Sequence, residues 1–598
     1  MKLSDFVAEF IAGQGVKHVF MVPGGGAMHL DDSICHHGGI EFVCNLHEQA
    51  SAIAAEAYAR VSDNLGVAVV TSGPGGTNAI TGVAGAWLDS TPCLFISGQV
   101  KRADLIGDLG VRQNGVQELD IISIVRSITK YATTVMDPAS IRHHLEKAVH
   151  LARSGRPGPV WIDIPLDVQA ATIDPESLIG YEPESPPPTA SPVNLAALVT
   201  KTIELLNNAE RPIVLIGNGV RLARAKEDVR EFVDRLELPV LLTWPALDLL
   251  PDTNELLVGR PGPVAPRGAN FALQNSDWLL TIGARLDTVV TGYAHDKFAR
   301  AAKKIMVDID PTEIAKMKTR IDVPVCADAK AFLQEFTKQS HLIIPRKRGD
   351  WLARCQDWKT RYPVVRPEHR QERRVSTYAL TDVLSEELSG SDIIIPGSSG
   401  AGIEIFLLAF RAKAGQRVFN TTALGAMGFG LPASIGGCLA SGGRRTICVN
   451  GDGGLELNIQ EFETIARLKL PVKLFVLNNQ GYASIRTSQE RYFGRLSGAD
   501  AGSGLTLPDI FGVASAYGLP SMRITDQGDL TRRVREVLNR PGPVLCDVWT
   551  PPDEPRAPSM MSSQRPDGSM VSKPLEDLWP FLDRQEFLSN MIIPPLDE

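Results

Sequence analysis

The residues best suited to chemistry lie late in the chain. An apolar run, Thr446 to Asn450, enters Gly451-Asp452-Gly453-Gly454 and then a segment of helical composition, Glu456 to Leu468. Glycines let the backbone approach an anion, and the first N–H groups of a helix have no partner within it, so this pattern reads as a phosphate site. The next apolar run ends in Asn478-Asn479. Asp452 and Asn479 would be hard oxygen donors at neighbouring strand ends, the ligands Mg²⁺ takes when it also holds a diphosphate. A second candidate comes early. The run ending at Cys44 leads through Asn45-Leu46-His47 into Glu48 and an Ala-rich helix, Gln49 to Arg60. Glu48 reads either as an exposed acid favoured by the helix dipole, or as a buried carboxyl whose charge or proton a ligand uses.

These residues need strands to carry them. Short apolar runs alternate with helix-length segments throughout: 18–22, 67–71, 93–97 and 160–164 first, then 212–217, 239–243, 278–283 and 305–310, and finally 392–396, 446–450, 473–479 and 544–548. Continuous apolar strands between helices predict an α/β protein with three doubly wound parallel sheets. Two Pro-bearing segments, Tyr181 to Pro192 and a basic one from Pro345 to about Arg374, divide them. The expected domains are 1–180, 193–343 and 375–552, followed by a tail or lid, 553–598.

The first and third pieces repeat each other. Arg156-Pro157-Gly158-Pro159-Val160-x-x-Asp163 returns as Arg540-Pro541-Gly542-Pro543-Val544-x-x-Asp547, and Ser72-Gly73-Pro74-Gly75-Gly76 has a counterpart in Asn450-Gly451-Asp452-Gly453-Gly454. Val22-Pro23-Gly24-Gly25-Gly26 pairs loosely with Ile395-Pro396-Gly397-Ser398-Ser399. The matches keep their order, as a duplicated fold around an unrelated middle domain requires. The repeat sets Glu48 opposite residues 421–426.

Composition excludes other classes. Sixty-one Lys plus Arg against 69 Asp plus Glu leave a net charge of −8, which argues against nucleic-acid binding. Eight scattered cysteines form no Cys-x-x-Cys pair, suiting a reducing compartment and giving no zinc site. Asp5 and Glu9 interrupt what would be the apolar region of a signal peptide, so a cytoplasmic protein is expected. The charge-free stretches Gly66 to Leu88 and Val418 to Gly443 could span a bilayer by length, but their glycines read as turns and close-packed helices, so no membrane is expected.

The pairing of Gly451-Asp452-Gly453-Gly454 with Asn478-Asn479 resembles the thiamin-diphosphate signature of pyruvate-decarboxylating enzymes. Nearly the whole chain resembles the acetolactate synthase family, with a pyrimidine-binding domain, a Rossmann-like central domain and a diphosphate-binding domain in that order. The resemblance implies that Asp452, Asn479 and the Gly481 carbonyl hold Mg²⁺, and that Ser398, Ser399 and Gly400 form the first diphosphate loop. It makes Met427, in Leu424-Gly425-Ala426-Met427-Gly428, the wedge that bends the cofactor, while the Gly425 carbonyl receives its 4′-amino group. Glu48 would hydrogen-bond the pyrimidine ring and promote loss of the thiazolium proton. Gln117 would lie near the reacting centre, behind Val116, where the family has phenylalanine. Ile216-Gly217-Asn218-Gly219, Arg285, Asp308 and Asp328 resemble the family's FAD site, bound without a redox role, although Val289 replaces its second arginine. The resemblance further implies a homodimer or tetramer with its active sites between subunits.

The implied activity is a transferase of the carboligase type: pyruvate loses CO₂, and its two-carbon unit passes to a ketone. Family members proper carry a tryptophan where alignment through Asn479 puts Ser488, one turn beyond Ile485. Serine leaves a larger, more polar acceptor pocket. The tail looks like relatives that act on nucleotide-linked 4-ketosugars in yersiniose-type branched-sugar synthesis, or else it packs on a neighbouring subunit. The expected acceptor is therefore a 4-keto-deoxysugar, with a second pyruvate as the alternative. Pyruvate oxidase, 2-keto acid decarboxylase and a non-catalytic relative are the remaining readings.

Overall fold

The computed structural model describes residues 1–183, 194–397, 400–564, 567–568 and 570–596. It forms two compact units, one of 1–185, 391–403 and 419–553, the other of 186–390, 404–418 and 554–598.

The first unit holds two parallel sheets. One is ordered Glu41–Cys44, His18–Met21, Gly66–Val70, Cys93–Gln99, Val160–Pro165, Tyr131–Thr134. Within this unit the other runs Ile393–Pro396, Thr446–Gly451, Val472–Asn478, Val544–Trp549, Ser521–Ile524. From the second strand on, the two orders are the same, which bears out the duplication. Both place the strand after the Arg-Pro-Gly-Pro turn next to the edge. Helix Glu48–Ser62 packs against helix Pro74–Leu88 and helix Gly430–Ala440. A methyl group on Gly436 would overlap the Ala54 carbonyl, so the helix backbones touch where both sequences run to Ala and Gly. This explains the charge-free stretches: among the described residues no helix is long and apolar enough to cross a membrane.

Asp163 and Asp547 occupy equivalent places on the duplicated strands, both buried. Asp547 is paired with Arg523, Nε to Oδ2 2.7 Å. Among the described residues Asp163 has no such cation; it accepts from the Ser97 hydroxyl, Gln99 Nε2 and the Thr134 hydroxyl. Burial pushes its carboxyl from 3.8 up to about 7. A folded-state pKa above the unfolded value contributes stability that is fully present below the unfolded pKa and lost as pH rises through about 7. Asp163→Asn should flatten this part of the pH dependence, read as the difference in thermal midpoint between the two proteins across that window. An unchanged slope would assign the loss to other groups.

The second unit contains the middle sheet, ordered Val323–Cys326, Lys303–Asp308, Trp278–Ile282, Pro212–Ile216, Val240–Leu242, Leu257–Gly259. The basic stretch expected to be a linker contains a helix, Gly349–Arg361, whose Trp351, Cys355 and Trp358 are buried at helical spacing. The tail packs within its own chain. It docks on the middle domain of its own chain, where every residue of helix Arg267–Asn275 is buried. Arg267 donates to the Leu578 carbonyl (2.9 Å), Asn270 to that of Leu575 (2.7 Å) and Asn275 to that of Asn590 (3.0 Å). Leu575 and Phe587 join an apolar cluster with Leu286, Val290 and Trp358. All eight cysteines are free.

Candidate active site

The strand Thr446–Gly451 is buried from Thr446 to Asn450 and delivers Gly451 as the cap of a short helix, Asp452–Leu455. Asp452 is 6% exposed. Its Oδ1 accepts from the Gly453 N–H (2.8 Å) and its Oδ2 from that of Gly481 (3.1 Å). Gln480 (φ 61°) and Gly481 (φ 140°) make the reversal that brings 481 back to Asp452. A side chain at 481 would strike the Ala499 carbonyl. Asn479 is buried beside them. Asp452 and the Asn479–Gly481 loop thus meet at the ends of two adjacent strands, joined by the bond from the Gly481 N–H. Burial pushes Asp452 up to about 6, leaving a carboxylate whose charge a cation would stabilise. No group of three His, Cys, Asp or Glu suited to a metal occurs among the described residues. A carboxylate beside an amide, with no nitrogen or sulfur ligand, is the chemistry that suits a hard cation completed by a phosphate.

Arg486, which sequence reasoning passed over, binds this loop together. Its Nη2 donates to the Asn479 carbonyl (2.9 Å), to Asn479 Oδ1 (3.2 Å) and to the Pro552 carbonyl (2.7 Å), and its Nη1 donates to the Gln480 carbonyl (3.2 Å). A buried arginine seven residues after Asn479 left only a faint signal, one cation amid the small residues that open a helix. Beside the loop lies a cleft of about 720 Å³ lined by Asp452, Glu456, Asn479, Arg486 and Trp549, among others. Of the phosphate-loop glycines, Gly451 has open space where a side chain would stand, whereas Gly453 is covered by the Tyr482 ring. The Gly454 carbonyl accepts from the Gly428 N–H (2.8 Å), bringing the Leu424–Gly428 stretch to the diphosphate loop. Asn458 Nδ2 holds the Gly428 carbonyl (2.8 Å). Gly425 and Gly428 are both left-handed, at 66° and 82°, and the Gly425 N–H closes on the Thr421 carbonyl (2.7 Å). Met427 is half-buried between these anchors. Gly400 (φ 128°) sits by Ser484, while Ser398 and Ser399 lie outside the described residues.

Glu48 opens helix Glu48–Ser62 and is 9% exposed, so the exposed-acid reading gives way to the buried one. Its Oε2 accepts from Asn78 Nδ2 at 3.0 Å. The preceding turn is held by buried Glu461, which takes the Asn45 amide (2.9 Å) and the Leu46 N–H (2.8 Å). Asn78 and Glu461 were not legible, because each meets its partner only through the fold. Gln117 is exposed and left-handed (φ 65°), a conformation that costs a non-glycine residue energy and concentrates at functional sites. Buried Glu118 enforces it by accepting from the Asn114 (2.9 Å) and Gly115 (3.1 Å) N–H groups, and the Gln117 carbonyl leaves no room for a side chain at Gly73. Val116 is 87% exposed. Ile485 and Ser488 share an exposed face of helix Ala483–Phe493.

In the middle domain, Asp308 ends its strand and accepts from the Asp310 N–H (3.0 Å). Asp328 caps helix Ala329–Lys338, and Arg285, left-handed at 58°, lies 3.5 Å from Asp287. The space beside Gly217 and Gly219 is filled by the backbone of Gly283 and Ala284, so those two glycines serve the protein's own packing and not a ligand's approach.

Three family models match: "Thiamine pyrophosphate enzyme, N-terminal TPP binding domain" over 1–124, the "central domain" over 199–336 and the "C-terminal TPP binding domain" over 403–548. The chain is 34% identical to acetolactate synthase 2, chloroplastic, of Nicotiana tabacum, across 94% of this chain and 84% of that protein. It is likewise 34% identical to the acetolactate synthase large subunit of Parasynechococcus marenigrum, across 89% and 85%. With thiamine pyrophosphate models matching its N-terminal, central and C-terminal regions and relatives 34% identical across 94% and 89% of it, the chain belongs to the thiamin-diphosphate-dependent acetolactate synthase family.

Proposed function

We propose that this enzyme joins two molecules of pyruvate with loss of one CO₂, the acetolactate synthase reaction. Its relatives across nine-tenths of the chain favour this acceptor over the ketosugar suggested by Ser488 and the tail.

Thiamin diphosphate, when bound, supplies an electron sink for the pair left behind as CO₂ departs. The protein's part is to hold, bend and deprotonate. Asp452, Asn479 and the Gly481 carbonyl would hold Mg²⁺ against the diphosphate, with Arg486 keeping their loop in shape. Met427 would press the cofactor into its bent form, and the Gly425 carbonyl would accept its amino group. Glu48 would exchange a proton with the pyrimidine ring from a site that excludes water. Gln117 would reach the reacting centre from its strained loop, and Val116, Ile485 and Ser488 would border the acceptor.

A site shared between two subunits would suit this fold. Within one chain, Arg60 reaches the Asn420 carbonyl, and Glu56 and Leu424 both border the space beside Gly85. Glu48 stands eight residues before Glu56, about 12 Å along the axis. A homodimer lets the Glu48 of one chain serve the loop of the other. FAD, without a redox role, would rest on Arg285, Asp308 and Asp328 at the carboxyl ends of adjacent middle-domain strands.

The test is product analysis by mass, with pyruvate, thiamin diphosphate and Mg²⁺, in the presence and absence of a nucleotide-linked 4-ketosugar. Acetolactate as the main product in both tubes is expected. A two-carbon gain on the sugar would move the assignment to the ketosugar reading, which the exposed Ser488 favours. Oxygen-dependent peroxide would point to pyruvate oxidase chemistry instead.

A further inference from the structure

We propose that Arg60 is a positioning residue for the cofactor-bending stretch of its own chain, so that helix Glu48–Ser62 serves two active sites, one from each end. This rests on the reading of Gly425 and Met427 as that stretch.

Arg60 lies in the last turn of the helix, with its side chain 10% exposed. Its Nη2 pairs with both Glu56 and Asp89. Glu56 is one helical turn back and Asp89 ends helix Pro74–Leu88. Two carboxylates on one nitrogen leave the fork aimed in a single direction, and its other arm, Nη1, donates to the Asn420 carbonyl at 2.8 Å. The guanidinium also covers the Phe419 ring, 5.6 Å from its centroid. Asn420 and Thr421 are buried, and the Thr422 hydroxyl bonds Asn420 Oδ1 (2.6 Å). Beyond them the Thr421 carbonyl takes the Gly425 N–H, and Gly428 is tied to Gly454 and Asn458. The stretch bearing Gly425 and Met427 is therefore clamped at two ends, and Arg60 supplies a clamp from the first domain. The space for Glu56 comes from Gly85, where a Cβ would stand 3.3 Å from Glu56 Oε2.

A merely structural arginine would neutralise Glu56 and Asp89 and do no more. Lysine could do the same, but its single nitrogen lacks the fork that reaches Asn420 at the same time. The first experiment measures thiamin diphosphate affinity at saturating Mg²⁺, and the thermal midpoint without cofactor, for R60K, R60M, M427A and R60M/M427A. Both Arg60 variants should bind the cofactor at least about tenfold more weakly, with the double variant no weaker than the poorer single one, the non-additivity of residues acting through one element. Wild-type affinity in R60K, or losses that simply add, would overturn the proposal. An M427A that binds normally would instead remove the reading of the stretch.

The second experiment mixes subunits. In a hybrid of E48Q and R60M chains, one site would receive an intact Glu48 from one chain and an intact Arg60 from the other. Equal mixing of two impaired proteins should then restore about a quarter of wild-type turnover, because half the dimers are hybrids and half their sites whole. A mixture of E48Q with D452A serves as the control. Recovery in the control but not with R60M would place Arg60 in the same site as Glu48 and overturn the proposal. Recovery in neither would defeat the shared-site reading, and the affinity cycle alone would then decide on Arg60.

Discussion

Glu48→Gln is expected to lower pyruvate turnover by about 10²–10⁴-fold, the range for losing a positioned proton-transfer group, while thiamin diphosphate affinity stays within a few-fold of wild type. The substitution keeps the side chain's shape and an oxygen for the Asn78 amide, so the helix start and its Asn45–Glu461 buttress should survive. What it removes is the ability to carry a proton in a place that is 9% exposed. Burial makes the loss severe, since no bulk water stands by to do the same work. The measurement is kcat with pyruvate beside a cofactor titration on the same preparation. Turnover retained within a few-fold would take Glu48 out of the chemistry; lost binding would make it a structural residue.

Asp452→Ala is expected to weaken Mg²⁺-dependent cofactor binding by more than about 100-fold, since outer-shell changes alone cost 10–100-fold in metal affinity. Two effects combine. The variant loses the single carboxylate among the three proposed oxygen donors, and it strips the Gly453 and Gly481 N–H groups of their acceptor, loosening the turn at Gly481. Asp452→Asn separates them, because its amide oxygen can keep one backbone bond without the charge. Titration of thiamin diphosphate with and without Mg²⁺ reads the outcome. If alanine left the metal dependence intact, the cation would have to be held elsewhere.

Much of the scaffold was legible from local pattern. Interior strands such as Cys93–Gln99 and Val472–Asn478 are buried on both faces, and they announce themselves as unbroken apolar runs. Several edge strands do not. Tyr131–Thr134 is half-buried throughout and Ser521–Ile524 alternates around an exposed Arg523, so neither carries a continuous run, and both were missed. Helix Gly349–Arg361 was hidden by basic residues on its exposed side, although Trp351, Cys355 and Trp358 keep helical spacing.

The sequence by itself determined the duplicated parallel-sheet architecture, the Gly451–Gly454 turn with Asn479, and the candidacy of Glu48. These depend on residues close together along the chain, where apolar periodicity and glycine content express the local backbone directly. Only the tertiary structure decided that Glu48 is buried, that Arg486 pins the Asn479 loop, that Arg60 reaches Asn420 and that the tail closes on its own middle domain. Each of these joins polar groups through the fold, and a polar side chain carries no mark of its partner until burial removes water and leaves one protein atom to replace it.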